Sequence, residues 1–149
     1  LHLDGLGAEY LNIAAGGSLH PASNDTVAQK LHYVYQDGKT VFKHAVNGMA
    51  EVSEEIMERN KLAVDDIKFL IPHQANYRII DAVAKKMGLD PDQVIININK
   101  YGNTTAATIP LAMSEAHQEK KIRQGDWLVM TAFGAGFTWG SLLLKWAIK

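Results

Sequence analysis

The chain of 149 residues contains no cysteine. That absence excludes a disulfide framework, a thiolate metal site and a cysteine nucleophile within the chain itself. Charge of either sign is nearly balanced, with a net charge of −1, so no global basic field points to nucleic acid. Long apolar runs are also missing. The most apolar segment, Trp127 to Ile148, approaches a membrane span in length, but Gly134, Gly136 and Gly140 interrupt it and Lys145 closes it. Two buried strands joined by a glycine-rich turn account for it better. His2, His20, His32, His44 and His117 show no metal-ligand spacing and read as surface or core residues; no metal site is expected. No internal repeat, low-complexity segment, signal peptide or initiator methionine is visible, and Leu1-His2-Leu3-Asp4-Gly5 reads as mid-sequence. These absences leave a cytoplasmic protein with no nucleic-acid or membrane partner as the expectation.

Apolar residues make up 47% and charged residues 21% of the chain, the balance of a globular domain with a real core. The stretch Leu70-Ile71-Pro72-His73-Gln74-Ala75-Asn76 organises the rest. Phe69 to Ile71 reads as the end of a buried strand that Pro72 stops, because proline cannot donate to a sheet ladder. Asn76 is a suitable N-cap for a helix whose apolar stripe is Ile79, Ile80, Val83 and Met87, and Gly88 suits its C-terminal end. His73 then stands at the carboxyl rim of a strand, where α/β proteins bind ligands.

Before this stretch, Glu9 to Ala14 predicts a short strand, Ala15 to Asn24 a loop with no assigned role, and Leu31 to Tyr35 an extended segment. After Gly38 the spacing predicts a helix with Val41, Ala45, Val52 and Ile56 inward, stopping at Asn60. Beyond Gly88, Val94 to Ile98 is β-branched and predicts a strand. Asn99 to Asn103 is a loop, and Thr104 or Thr105 caps a helix through about Glu119. Trp127 to Phe133 and Phe137 to Trp146 are the last strands. Tyr33, Tyr35, Trp127, Trp139 and Trp146 read as packing residues. Strands alternating with helices imply parallel pairs joined by crossovers, with an antiparallel addition at the end.

Three loops follow strands: Pro72 to Asn76, Tyr101 to Thr105, and Phe133 to Phe137. If neighbouring parallel strands supply the first two, His73 and Asn103 offer two N–H donors to one point, an arrangement that stabilises an oxygen becoming negative. A main-chain N–H of the glycine-rich third loop can serve a second oxyanion. Plainer readings stay open beside these. His73 is then a polar turn histidine, Asn103 a common turn residue after Gly102, and Gly-Ala-Gly an ordinary hairpin.

Ile71-Pro72-His73-Gln74-Ala75-Asn76, Tyr101-Gly102-Asn103-Thr104-Thr105-Ala106-Ala107-Thr108-Ile109-Pro110 and Phe133-Gly134-Ala135-Gly136-Phe137-Thr138-Trp139-Gly140 occur in this order. In order and spacing they resemble the carboxyl-terminal half of β-ketoacyl-acyl-carrier-protein synthase III. The similarity runs from about Leu1 to Lys149 and is strong from Gly38 onward. It implies one domain over residues 1–149, the C-terminal half of the thiolase-like fold: a mixed, mostly parallel sheet with covering helices, one half of an αβαβα sandwich. The implied activity is decarboxylative condensation of an acyl-CoA starter with malonyl-acyl-carrier protein, the first elongation step of fatty-acid synthesis. No cofactor is implied, since acyl-CoA and malonyl-acyl-carrier protein are substrates. The implied partners are acyl carrier protein, CoA thioesters, an N-terminal half carrying the cysteine nucleophile, and a second copy in a full-length homodimer.

Roles carry over from the same resemblance. His73 and Asn103 match the pair that bonds the malonyl thioester oxygen. Ala135 matches the residue whose backbone N–H helps hold the acyl-thioester oxyanion, and Phe133 the aromatic lining the site. Phe42, Ala75, Asn76 and Ile79 match positions along the CoA/pantetheine tunnel. Lys39 falls where related sequences often carry a polar amide. Arg78 and Lys85, seven residues apart on one helix face, with Lys86 beside them and Lys43 on the neighbouring helix, match a carrier-protein docking patch. A solvated helix face is the plainer reading of the same spacing. Two other functions stay open: a non-catalytic domain binding CoA or carrier protein, and a related condensing enzyme with a different acyl starter. Without a cysteine, the chain alone is expected to be inactive in acyl transfer.

Overall fold

A computed structural model describes residues 1–148. The strands are β1 (His2–Leu3), β2 (Leu11–Ile13), β3 (Val34–Gln36), β4 (Ile67–Pro72), β5 (Trp127–Gly134) and β6 (Thr138–Lys145). The helices are α1 (Asn24–Ala28), α2 (Gly38–Arg59), α3 (Tyr77–Lys86), α4 (Ile98–Tyr101) and α5 (Thr108–Gln118). The main sheet has the order β1-β6-β5-β4. It is mixed, with its parallel part confined to β4–β5 and an isolated Leu70–Val94 bridge, while β5–β6 and β1–β6 are antiparallel. A small antiparallel β2–β3 pair stands apart.

Helices cover both faces. On one face, Ala45, Met49, Ala50 and Met57 of α2 and Val83 and Ala84 of α3 pack with Ile67, Leu70 and Val129 of the sheet. On the other, Ala112 and Ala116 of α5 pack with Phe69, Ile71, Leu128 and Trp146. The register of β4 shifts between Ile67 and Phe69. Such a bulge inserts one residue and resets the alternation. It puts Ile67 and Leu70 on one face and Phe69 and Ile71 on the other, leaving Lys68 exposed.

Sheet hydroxyls fasten α2. Thr131 Oγ1 donates to Met49 O at 3.3 Å, and Ser141 Oγ donates to Val52 O at 2.6 Å. The helix starts where Asp37 accepts the Thr40 N–H at 2.8 Å. In α3 the Asn76 side chain accepts the Arg78 N–H at 2.9 Å, and Gly88 follows the helix at φ +71°, as the spacing predicts.

Several local expectations need correction. Pro72 does not stop the strand before itself. It is the last residue of β4, paired with Thr131, and the ladder runs on through the His73 N–H, which donates to Thr131 O at 2.8 Å. Proline is tolerated here because position 72 faces the edge of β4 away from β5, where its carbonyl accepts from Gln74, so no β4–β5 ladder donor is lost. Val94 to Ile98 is not a regular strand: its backbone makes one parallel bridge, with the Ile95 N–H donating to Leu70 O at 3.0 Å. Beyond that point a side chain replaces the ladder. Buried Gln74 donates from Nε2 to Pro72 O at 2.8 Å and Ile95 O at 3.1 Å. Its Oε1 accepts the N–H groups of Asn97 at 3.0 Å and Ile98 at 3.2 Å. The β-branched composition favours extension, but the amide turns the chain into α4 instead. The last long helix begins at Thr108, three residues later than its expected cap, after a 3-10 turn over Thr105–Ala107. Tyr33 and Tyr35 are exposed rather than packed.

Gln74→Leu should therefore be strongly destabilising although it conserves volume. It leaves two buried backbone N–H groups and two carbonyls without partners, and each such group costs about 1–3 kcal/mol. Urea denaturation should show a loss of more than about 2 kcal/mol, and the Asn97 and Ile98 amides should lose protection from hydrogen exchange. An unchanged midpoint with both amides still protected contradicts this account.

Candidate active site

His73 and Asn103 come together on one cavity of about 650 Å³, lined also by Thr131, Phe133, Gly134 and Trp139. The carboxyl end of β4 delivers His73. Asn103 arrives by another route: α4, then Gly102 at φ +64°, a conformation glycine adopts without steric cost. The expectation that two adjacent regular strands carry the two donors is thus half met, with a helical turn in place of the second strand's end.

Each polar side chain is oriented through one of its two polar atoms. The Asn103 Oδ1 accepts the Thr105 N–H at 2.9 Å, so its NH₂ remains free among the described residues. The His73 Nδ1 lies 2.6 Å from Thr108 Oγ1, and Nε2 remains free in the same sense. Burial lowers the His73 pKa below its usual 6.5, because a half-buried ring pays for desolvating its charged form. Burial therefore favours the neutral ring, which carries one N–H. Thr105 holds φ +52°, a region that β-branched residues rarely enter and that tends to mark functional turns.

The segment that carries Asn103 is held from α5. Glu115 accepts from Asn97 Nδ2 at 3.2 Å and from Tyr101 OH at 3.4 Å, and its carboxylate pairs with Lys100. The Lys100 hydrogen bond first, opposed by desolvation and helped by Asn97, keeps the Glu115 carboxyl below the usual glutamate value.

Phe133 lines the cavity, meets Phe137 in a tilted pair with ring centroids 4.9 Å apart, and stacks with Trp139 at 6.3 Å. Ala135 is exposed at the tip of the β5–β6 turn; its neighbour Gly134, the last residue of β5, lines the cavity instead. The other expected positions lie along the first turns of α2 and α3. Phe42 is half-buried and carries the Arg78 guanidinium 5.7 Å from its ring centre. Ile79 packs against the core, while Lys39, Ala75 and Asn76 are exposed. None of these five tunnel positions lines the cavity with His73. Lys43, Lys85 and Lys86 are exposed, but their surroundings differ. Lys85 Nζ pairs with Asp81 at 2.8 Å on its own helix, which offsets its charge. Lys86 reaches Asn47 of α2 at 2.6 Å and keeps its charge. Thr108, Thr131 and Gln74 are the site-building residues that sequence reasoning missed. Among the described residues no group of three His, Cys, Asp or Glu side chains is placed to hold a metal ion.

Residues 57–146 match the family described as 3-oxoacyl-[acyl-carrier-protein] synthase III C terminal. The β-ketoacyl-[acyl-carrier-protein] synthase III of Chlorobium chlorochromatii is 53% identical over 147 residues, covering 98% of this chain and 45% of its own. The Porphyromonas gingivalis protein of the same name is 55% identical, covering 99% of this chain and 43% of its own. The chain thus spans less than half the length of the curated relatives it matches. The crystal structure of 3-oxoacyl-(acyl carrier protein) synthase III from Pseudomonas aeruginosa superposes with a TM-score of 0.86 at 37% identity, over 99% of this chain and 44% of that one. The Aquifex aeolicus structure gives 0.83 at 39% identity, over 97% and 42%.

The pKa shift predicts that the His73 ring titrates below 6.5. Between the folded and unfolded values the unfolded chain binds more protons, so stability should fall as pH drops through that window and level off beneath it. An NMR titration of the ring C–H signals reads the midpoint; a value at or above 6.5 contradicts the burial argument.

Proposed function

We propose that this chain, which belongs to the C-terminal domain family of 3-oxoacyl-[acyl-carrier-protein] synthase III, supplies the decarboxylating half of a condensing active site. The observation that supports this most directly is the presence of His73 and Asn103 on one cavity, each with a nitrogen still free. The reading covers decarboxylative condensation of an acyl-CoA starter with malonyl-acyl-carrier protein.

In the decarboxylation step the bond between the malonyl Cα and its carboxylate carbon breaks and carbon dioxide leaves. The electron pair moves toward Cα and the thioester oxygen, which takes on enolate character. The ring N–H of His73 and the amide N–H of Asn103 donate to that oxygen. Donors already fixed in place need no reorganisation as charge develops, and losing one costs about 2.7–4 kcal/mol of barrier. The Cα carbon then attacks the acyl thioester carbon, the enzyme thiolate departs, and a 3-oxoacyl thioester forms. That thiolate comes from outside this chain, which has no cysteine; alone, the chain is inactive in acyl transfer. The backbone N–H of Ala135 serves the oxyanion of the second step, and Phe133 lines the decarboxylating group. Phe42, Ala75, Asn76 and Ile79, with Lys39 at the rim, flank the pantetheine arm. No cofactor or metal takes part.

Arg78, Lys86 and Lys43 form the docking patch for acyl carrier protein, with Lys85 weakened by its Asp81 partner. The complete enzyme is a homodimer and cytoplasmic. Among the described residues no helix is long and apolar enough to cross a membrane.

In the complete enzyme, His73→Ala should abolish malonyl decarboxylation by at least about a hundredfold while sparing acyl transfer from CoA. Separate assays of carbon dioxide release and enzyme acylation test this, and loss of acylation with decarboxylation intact overturns the assigned role. Arg78→Ala should raise the KM for carrier-bound malonate and flatten its salt dependence, and Lys85→Ala should do so less. Equal or absent effects in steady-state kinetics remove the docking patch.

A further inference from the structure

Thr108 opens α5, is 3% exposed, and has its Oγ1 between a ring nitrogen and a carbonyl oxygen. His73 Nδ1 lies 2.6 Å away and Thr105 O lies 3.1 Å away. The hydroxyl has one proton to donate. The Thr105 carbonyl is already satisfied by the Thr108 backbone N–H. The distances separate the two assignments. N–H donors to oxygen sit at about 2.7–3.2 Å, and hydroxyl donors approach an oxygen acceptor more closely, at about 2.5–3.0 Å. A 2.6 Å contact fits the hydroxyl as donor and is short for the ring N–H as donor. The 3.1 Å contact is long for a hydroxyl donor.

We propose that Thr108 is a positioning residue that fixes the tautomer of His73: its hydroxyl donates to Nδ1 and thereby holds the single ring proton on Nε2, facing the cavity. The other tautomer would turn a lone pair toward the cavity and repel an oxygen gaining negative charge. Thr108 and Thr105 then act in parallel. The Thr105 N–H occupies the Asn103 oxygen and leaves its NH₂ free; the Thr108 O–H occupies the acceptor nitrogen of His73 and leaves its N–H free. One turn between Asn103 and α5 sets the polarity of both donors. The catalytic consequence rests on the condensing-enzyme reading above, but the tautomer itself does not.

Nitrogen-15 NMR of the histidine rings in this chain reads the tautomer directly. The unsubstituted protein and Thr108→Ser, which keeps the hydroxyl, should show His73 protonated on Nε2. Thr108→Val, nearly the same shape without the donor, should populate the Nδ1–H form. In the complete enzyme Thr108→Val should lower kcat for malonyl decarboxylation at least about tenfold, as wrong-tautomer and supporting-residue substitutions do elsewhere, with Thr108→Ser recovering most of it. An Nδ1–H ring in the unsubstituted protein overturns the proposal, as does a Thr108→Val protein that keeps both the Nε2–H ring and full activity. If Thr108→Val does not fold, the spectra of the other two proteins still decide. Decarboxylation with an Nδ1–H ring defeats this inference alone; no decarboxylation with an Nε2–H ring defeats the functional reading alone.

Discussion

The Gln74 amide makes four hydrogen bonds where water does not reach, and the placement of both candidate donors follows from them. β4 has β5 on one side, but on its other side the backbone of the incoming chain makes a single bridge, and the Gln93 amide donates to Ile67 O at 2.9 Å. An edge left like that exposes unpaired backbone groups. Gln74 closes it by acting as a short piece of strand, donating twice and accepting twice. Because His73 precedes Gln74 and Asn97–Ile98 begin the turn toward Asn103, one buried side chain fixes the spacing between the two loops. A fully satisfied amide suits this role, since a half-satisfied one costs more than an apolar core.

A second layer of control lies between Asn103 and Thr108. Thr105 adopts a left-handed conformation that costs a β-branched residue on the order of 1–3 kcal/mol. That conformation aims its N–H at the Asn103 oxygen. The surrounding structure offsets the strain: Glu115 anchors Asn97, Lys100 and Tyr101 ahead of the turn, and α5 packs on β4 behind it. Strain at this point and satisfaction around it are what a preorganised donor pair requires.

The long helices, β4, β5 and β6 were legible from period and punctuation: the α2 stripe at Val41, Ala45 and Val52, the Asn76 cap, the Gly88 stop and the apolar runs all act locally. What was not legible acts across the chain. Val94 to Ile98 has strand composition, but the Gln74 side chain, twenty residues earlier, outcompetes the ladder. The β4 bulge moves Ile67 off the face of Phe69 and Ile71 and onto that of Leu70, without any glycine to announce it. Lys85 fits a basic stripe on a helical wheel, yet Asp81 one turn earlier pairs with it and offsets its charge. His73 and Asn103 could be picked out because donor residues at strand ends are unusual. Thr108 could not, because a threonine near a helix start reads as an ordinary cap and its partner lies 35 residues away.

The cavity itself says how much these donors are worth. Its wall is largely apolar, with Leu142 and Trp139 beside the polar pair, and Leu1 and Leu142 on its rim are 87% and 66% exposed. Free N–H groups facing water are hydrated, and the field they exert on a developing charge is weak; the same groups in a dry site act in a low dielectric and count for several times more. A rim of exposed leucines is costly in water and favourable under a cover. On the condensing-enzyme reading, the surface that covers this rim brings the thiolate and excludes water in the same act. The donor pair then gains its strength only when the nucleophile that consumes the enolate is already in place.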